Sequence, residues 1–282
     1  DMLSEDGKQY ADKYKIGAYP SFLLLNGKGE LLYKFVGGKS ADVFMAEIRK
    51  GMKPDNRVKS MDDTKATGKY SNDFLREYVQ LKLQLLEKGE SLRLGKEYFD
   101  KISPEERLQP ENWFLFADRT LGGVNSTNMR YLLEHWQDFV RVQGEEKVYE
   151  RITALYRDMT EWVLQGWYFR DFERNPDDFV YYRQRISAIP LPCQNDYLVM
   201  MDVAKAVVLN DSLKVRGLLE DHVADFSNEN QQIMFGGMGW FPSYNGVYHE
   251  QLLEIARKVV QGGSTSNLAN YLKTLLNPDE AY

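Results

Sequence analysis

The chain has 282 residues, of which 43% are hydrophobic, 13% aromatic and 28% charged, and its formal net charge is −6. At about 100–200 residues per domain this length predicts two domains, and the composition excludes a wholly disordered chain. The acidic balance argues against a nucleic-acid-binding protein, which needs a basic face. No apolar run approaches the roughly 18 residues of a membrane helix, so we expect no membrane span.

The chain contains one cysteine, Cys193, and three histidines that lie far apart in the sequence. A single cysteine excludes an internal disulfide, a CxxC redox pair and a cysteine-based zinc site. We therefore expect no metal, no cofactor and no catalytic residue within these residues. Cys193 follows Pro192 at a predicted helix start, where the helix dipole favours a thiolate. We nevertheless expect it to be a buried and inert small residue.

The N-terminal region alternates helix and strand patterns. Residues 4–14 predict a short polar helix, and the run SFLLLN after Pro20 is typical of a strand buried on both faces. Residues Asn26–Gly29 have the composition of a tight turn. The following ELLYKFV is typical of an edge strand, because one of its faces is less apolar. Ser40 is the predicted N-cap of a helix that extends to Met52.

The rest of the chain predicts a linker followed by helices. Residues 57–70 are polar and aperiodic, which indicates a linker. From residue 71 onward, apolar residues recur at helical spacing, with clear stripes at 129–140, 148–163, 248–259 and 268–276. The Gly-rich segment 234–240 lacks a following Gly-Lys-[Ser/Thr], so we expect a turn between helices and not a phosphate loop. Short turns between helices favour an array of helical hairpins.

Residues 1–52 resemble the C-terminal half of a thioredoxin fold. The resemblance rests on Ile16-Gly17, on Tyr19-Pro20-Ser21 at the entrance of an apolar strand, and on the Gly-containing turn, second strand, Gly37 and final helix that follow. It implies a cis Tyr19–Pro20 bond and a substrate-binding loop formed by Tyr19, Pro20 and Ser21, in which the backbone of Tyr19 pairs with an extended peptide. It also implies that the family's CxxC lies upstream of Asp1 and that this chain alone is inactive.

The expected fold is a partial α/β thioredoxin-like unit at residues 1–56, a linker at 57–70 and a larger all-α, helical-repeat-like domain at 71–282. This order resembles envelope proteins of Gram-negative bacteria that carry a tetratricopeptide-like extension. The resemblance implies a periplasmic or cell-envelope location, the thiol–disulfide oxidoreductase class and a protein or peptide partner.

Two functions stay open: an oxidoreductase with its redox site upstream, or a non-catalytic, peptide-binding helical array with a thioredoxin-like adaptor.

In the family's sheet, the first strand pairs with a strand that lies upstream of this segment. Its edge is therefore open here, and dimerisation through this edge is a further expectation.

Overall fold

The computed structural model describes residues 5–53, 58–171 and 175–238, together with Arg257 and Gln261. The chain divides into two compact units, Asp1–Gly122 and Gly123–Tyr282. Across the described residues the fold is mostly α-helical with one two-stranded antiparallel sheet, which confirms the expected mostly helical class. None of the described helices combines the length and the apolar character required to cross a membrane.

The first unit begins with a helix and a β-hairpin and continues as helices. Its elements are α1 (Glu5–Tyr14), β1 (Ser21–Leu25), β2 (Leu31–Val36), α2 (Ala41–Gly51), α3 (Val58–Ala66), α4 (Asn72–Gln84), α5 (Lys88–Lys101), α6 (Pro104–Arg107) and α7 (Phe114–Ala117), with a 3-10 turn at Pro110–Asn112. The predicted hairpin is confirmed, and its turn is closed by the Asn26 side chain, which accepts the N–H groups of Lys28 and Glu30. Ser103 forms the capping box that starts α6.

The hairpin is packed on both faces, but the two strands differ in burial from the sequence prediction. β1, expected to be buried on both faces, is half-buried, and Leu25 is 38% exposed. β2, expected to be an edge strand, buries Tyr33, Lys34 and Phe35. The reason is that α2 and α3 pack against β2.

The segment predicted to be a linker at residues 57–70 contains α3. Val58 and Met61 are buried in the first unit, and Lys65, near the end of α3, forms an ion pair with Glu97 on α5 at 2.9 Å. The polar composition of this segment therefore reflects a helix whose side chains make specific ion pairs. Here the structure differs from the predicted division, because the first compact unit extends through α4 and α5 to Gly122.

The second unit is helical throughout its described residues. Its helices are α8 (Thr127–Glu134), α9 (Trp136–Gln143), α10 (Glu145–Leu164), α11 (Tyr168–Asp171), α12 (Pro176–Ser187), α13 (Gln194–Val208), α14 (Ser212–His222) and α15 (Asn228–Met238), with a 3-10 turn at Val223–Asp225. Helix α13 packs against α10, α12 and α14, and its buried residues include Met200, Met201 and Ala204. The core of this unit is therefore centred on α13.

Several predicted helical patterns differ in detail. The stripe at 129–140 is divided between α8 and α9 at His135, whose backbone leaves the helical conformation. The segment expected to be a turn at 234–240 is helical through Met238, as the end of α15. The stripes predicted at 248–259 and 268–276 lie outside the described residues.

Candidate functional site

The predicted site residues Tyr19, Pro20 and Ser21 lie consecutively at the entrance of β1. The Tyr19–Pro20 peptide bond is cis, as the resemblance implies. The Ser21 hydroxyl donates a hydrogen bond to the carbonyl of Ala18 at 2.6 Å, which closes the connection into a tight turn. The Tyr19 side chain is 60% exposed, so this turn presents an aromatic ring to solvent.

The hydrogen-bond pattern of the hairpin determines which backbone groups of β1 face outward. The Gly37 N–H donates to the Pro20 carbonyl at 2.9 Å, so these opposite residues form a hydrogen-bonded pair. Bonded and non-bonded pairs alternate along an antiparallel ladder, so Phe22 and Leu24 bond to β2. The N–H and C=O groups of Ser21 and Leu23 therefore point away from β2. Among the described residues, no backbone hydrogen bond to these outward groups is found.

One face of the hairpin is fixed by aromatic packing against α2. Phe22 and Phe35 stack with their ring centroids 5.1 Å apart, and Phe44 of α2 meets both edge-on at 5.0 and 5.3 Å. Tyr33 lies on the same face and donates its hydroxyl hydrogen to Glu47 at 2.8 Å. These contacts hold β1 in place without using its outer edge.

The opposite face of the hairpin carries a buried lysine. Lys34, opposite Leu23 in the ladder, donates to the carbonyl oxygens of Tyr14 and Lys15 at 3.3 and 2.7 Å. Its ammonium also lies 3.3 Å from Glu87, in the turn before α5. Burial lowers the pKa of Lys34 below its ordinary value, and the carboxylate of Glu87 acts in the opposite direction.

Glu87 is shared by two lysines. Lys82 of α4 lies 3.2 Å from the second Glu87 oxygen and 2.9 Å from Asp62 of α3. Asp62 also accepts a hydrogen bond from the Tyr78 hydroxyl. We call Lys34, Lys82, Glu87 and Asp62 the buried charge cluster, in which three side chains are buried and Asp62 is the solvent-exposed member. It contains two positive and two negative groups, and it links β2 to α3, α4 and the turn before α5.

A cleft of about 450 Å³ lies beside the connection that leads to Tyr19. One wall is formed by Asp12, Lys15 and Gly17, and the other by residues 86–90, including Glu87. Its walls carry acids and bases in near balance, so electrostatics do not select a charged ligand there. The cleft extends the surface next to the turn before β1.

The sequence pattern did not identify the buried charge cluster. Lys34 is the one signal that could have been used, because a lysine interrupts an otherwise apolar strand and such a lysine needs a partner if it is buried. Its partner Glu87 is 53 residues away, in a region where acids and lysines alternate without a recognisable motif. Spacing alone therefore gave no means of pairing them.

The thiol does not belong to this site. Cys193 lies in the second unit at the N-cap of α13, and it is exposed, so the expectation that it is buried is wrong. It lies in the solvent-exposed turn that begins with Pro192, where its backbone adopts a left-handed conformation with φ 55°. The described residues contain no group of three or more His, Cys, Asp or Glu side chains placed to hold a metal ion.

Comparison of the chain with protein-family models, curated proteins and solved structures gives no match.

Proposed function

We propose that residues 1–56 form the peptide-binding part of a thioredoxin-like protein, in which the turn Ala18–Ser21 and the outer edge of β1 hold an extended polypeptide. The protein class we propose is the thiol–disulfide oxidoreductases or their relatives, acting on protein substrates in the periplasm or cell envelope. The helical residues after Ser71 form a tetratricopeptide-like, partner-binding extension in this proposal.

The observation that carries the proposal is the outward direction of the Ser21 and Leu23 backbone groups. An extended segment that aligns with β1 gains hydrogen bonds to these groups, which is the β-augmentation mode of peptide recognition. The exposed side chains of Tyr19 and Leu25 lie at the two ends of this edge and offer apolar contact. A second copy of this chain can use the same edge, which is the dimer expected from the sequence.

A redox role requires chemistry that these residues do not contain. In thiol–disulfide exchange a thiolate attacks a substrate disulfide and releases one substrate thiolate, and a second thiolate then resolves the mixed disulfide. The 282 residues supply only Cys193. An oxidoreductase of this kind therefore needs its cysteine pair from outside these residues, with β1 and the turn before it as the substrate-holding surface.

The test is peptide binding to the β1 edge, measured by fluorescence anisotropy with a fluorescein-labelled nonapeptide of alternating Val and Thr. Leu23→Pro removes an outward N–H and leaves the N–H groups bonded to β2 in place, so we expect about threefold to tenfold weaker binding. Leu23→Ala keeps the backbone and is the matched control. Leu25→Lys places a charge at the edge and is the second blocking variant.

Binding that is unchanged in both Leu23→Pro and Leu25→Lys, with native circular dichroism retained, would contradict the proposal. Loss of binding in Leu23→Ala equal to that in Leu23→Pro would mean that the side chain, and not the strand edge, is recognised. Both outcomes are measurable without knowledge of the natural substrate.

The second candidate function is a non-catalytic, protein-binding helical region with a thioredoxin-like adaptor. It is favoured by a separate groove of about 600 Å³ in the second unit, lined by residues of α10, α13 and α15 and the turns that precede them. Reduction of insulin by dithiothreitol, with and without a CxxC-containing thioredoxin-fold partner segment, distinguishes the two candidates. Partner binding by the chain without any change in disulfide turnover favours this second one.

A further inference from the structure

The groove in the second unit is lined by the first three turns of α10 and by the beginnings of α13 and α15. On α10 its lining residues recur at helical spacing, from Glu146 through Tyr149 and Glu150 to Arg157. The facing side includes Pro192, Cys193 and Tyr197. The groove is therefore an elongated cleft along a single helix and not an enclosed cavity.

The floor of the groove is aromatic. Tyr149 and Tyr197 are 8% and 1% exposed, so their rings form part of the core and cannot turn away from the groove. The Arg157 guanidinium lies 5.9 Å from the centroid of the Tyr197 ring. Arg157 therefore covers the Tyr197 end of the floor, near the outer distance limit of a cation–π contact.

The groove carries a net negative charge once its internal ion pair is subtracted. Arg157 forms an ion pair with Glu229 at 2.6 Å and donates to the Asn230 side-chain oxygen at 2.8 Å, so its charge is already used. Among the described residues, Glu145, Glu146 and Glu150 form no ion pair with a lysine or arginine. The α10 dipole stabilises acids in its first turn, but this effect decays before Glu150.

We infer that this groove binds an extended, basic segment of a partner protein, with lysine or arginine at alternate positions. Glu146 and Glu150 are one helical turn apart, which is about 6 Å along the axis. Side chains two residues apart on an extended peptide lie about 7 Å apart on one side. A Lys-x-Lys segment therefore places one ammonium near each carboxylate and an aliphatic stem beside Tyr149.

This inference names the partner class for the second candidate function and is independent of the β1 edge. The groove from Glu146 to Arg157 extends for about 16 Å, enough for roughly five extended residues. The apolar floor favours a peptide over a bare polyamine, because side chains between the two lysines also find apolar surface there.

The experiment uses the full chain and two fluorescein-labelled heptapeptides of equal charge. In one, lysines occupy the third and fifth positions among alanines, and in the other the third and fourth. At about 50 mM NaCl we expect the alternate-lysine peptide to bind about threefold more tightly, and both to weaken at higher salt. Equal affinity of the two peptides would overturn the assigned spacing.

The matched variants remove the same charge from two places. Glu146→Gln/Glu150→Gln is expected to weaken binding about threefold to tenfold, whereas Glu105→Gln/Glu111→Gln, at exposed positions in the first unit, changes only net charge and leaves affinity nearly unchanged. Thr153→Trp fills the groove from the half-exposed middle of α10 and should abolish binding. If both double variants weaken binding equally, the interaction is non-specific and the inference is wrong.

Cys193 supplies a direct readout of occupancy. It is the only cysteine of the chain and lines the groove, so a single addition of N-ethylmaleimide, followed by mass spectrometry, reports on this position alone. Saturating alternate-lysine peptide should slow this reaction severalfold. Binding without protection of Cys193 would place the peptide elsewhere and overturn the inference. Binding that is lost in Leu23→Pro but retained in Glu146→Gln/Glu150→Gln would overturn it in the same way.

Discussion

The Lys34 ammonium lies 3.3 Å from the Glu87 carboxylate, and these side chains are only 1% and 9% exposed. Two residues separated by more than fifty positions thus form a buried ion pair between the hairpin and the turn that starts α5. Because Lys82 approaches the other Glu87 oxygen, the pair is part of a balanced cluster. The hairpin and the α4–α5 pair therefore share an interior.

Removal of Glu87 is expected to cost more stability than removal of Lys34. Glu87→Gln leaves two buried ammonium groups facing an amide, and loss of one partner of a buried pair costs about 3–5 kcal/mol. Lys34→Met costs less, because Glu87 keeps Lys82 at 3.2 Å. Urea unfolding measures both free energies.

The control for this comparison is Lys96→Met, which breaks the exposed Lys96–Asp100 pair and should change the free energy of unfolding by less than about 1 kcal/mol. An equal loss in Glu87→Gln and Lys96→Met would mean that the buried charge cluster contributes nothing specific.

Gly51 is expected to be intolerant of a side chain. A Cβ atom at this position would lie 2.6 Å from the Cβ of Tyr33, whose ring is buried and whose hydroxyl is held by Glu47. Gly51→Ala should therefore lower the free energy of unfolding by about 1–3 kcal/mol. Gly89→Ala is the matched control, since nothing lies within 4 Å of its Cβ position, and it should leave stability unchanged or slightly raised. Equal midpoints for the two variants would refute the close packing of α2 on β2.

Glu97 is expected to make the first unit sensitive to acid. Burial alone would raise the pKa of its carboxyl, but hydrogen bonds from Tyr70, Lys65 and Lys101 outweigh burial and lower the pKa to about 2. The pKa of Glu97 is lower in the folded chain than in the unfolded chain, where it is near 4.5, so ionised Glu97 stabilises the fold above about pH 4.5. This stabilisation is lost as the pH falls toward about 2.

The measurement is urea unfolding of the wild type and Glu97→Gln between pH 6 and pH 3. The wild type should be more stable by about 2 kcal/mol at pH 6, and the difference should shrink steadily below pH 4.5. Asp100→Asn, on the same helix at an exposed position, should show no such trend. A difference that is constant with pH would rule out the assigned role of Glu97.

The sequence predicted the hairpin well because its signals are local, and the cis bond was implied by the resemblance to the thioredoxin fold. Asn26–Gly29 and the apolar run after Pro20 fix a turn and a strand within a few residues, and the periodicity at 148–163 likewise predicted α10. Burial was predicted poorly, because it depends on which helix covers which strand. The polar segment 57–70 contains α3, which is held by the burial of Val58 and Met61 and by the ion pairs of Lys65 and Asp62 with α5 and α4. No pattern within that segment reveals these partners.

The motif around Pro20 suggested a candidate site but gave none of its surroundings. Tyr19, Pro20 and Ser21 were identified from a short motif, whereas the outward backbone of Leu23 follows from the ladder register, which the hydrogen bond from Gly37 to Pro20 defines. The groove of the second unit is assembled from three helices. Its acids on α10 and the Pro192–Tyr197 segment are about 40 residues apart in the sequence, so no local pattern brings them together.

A cut at Gly122 is expected to separate folding units better than a cut in the predicted linker. The segment 123–282 should unfold cooperatively by itself. A 66–282 segment lacks Lys34, which pairs with Glu87, and Asp62, which pairs with Lys82. Helices α4 and α5 therefore keep buried charges without these partners, and trypsin should digest them rapidly while the second unit persists. Resistance of α4 and α5 to trypsin in 66–282, together with a single unfolding transition, would instead support the boundary at 57–70.

The chain of 282 residues is expected to be inactive as a dithiol oxidoreductase. Exchange of the thioredoxin kind uses one cysteine to attack and another to release the mixed disulfide, and Cys193 has no second cysteine in the chain. Its exposure permits a stalled mixed disulfide or a disulfide-linked dimer, but neither turns over. In the reduction of insulin by dithiothreitol, the wild type and Cys193→Ser should both give the background rate. Turnover above that background by the wild type, lost in Cys193→Ser, would show that one thiol is sufficient and would overturn the requirement for an external cysteine pair.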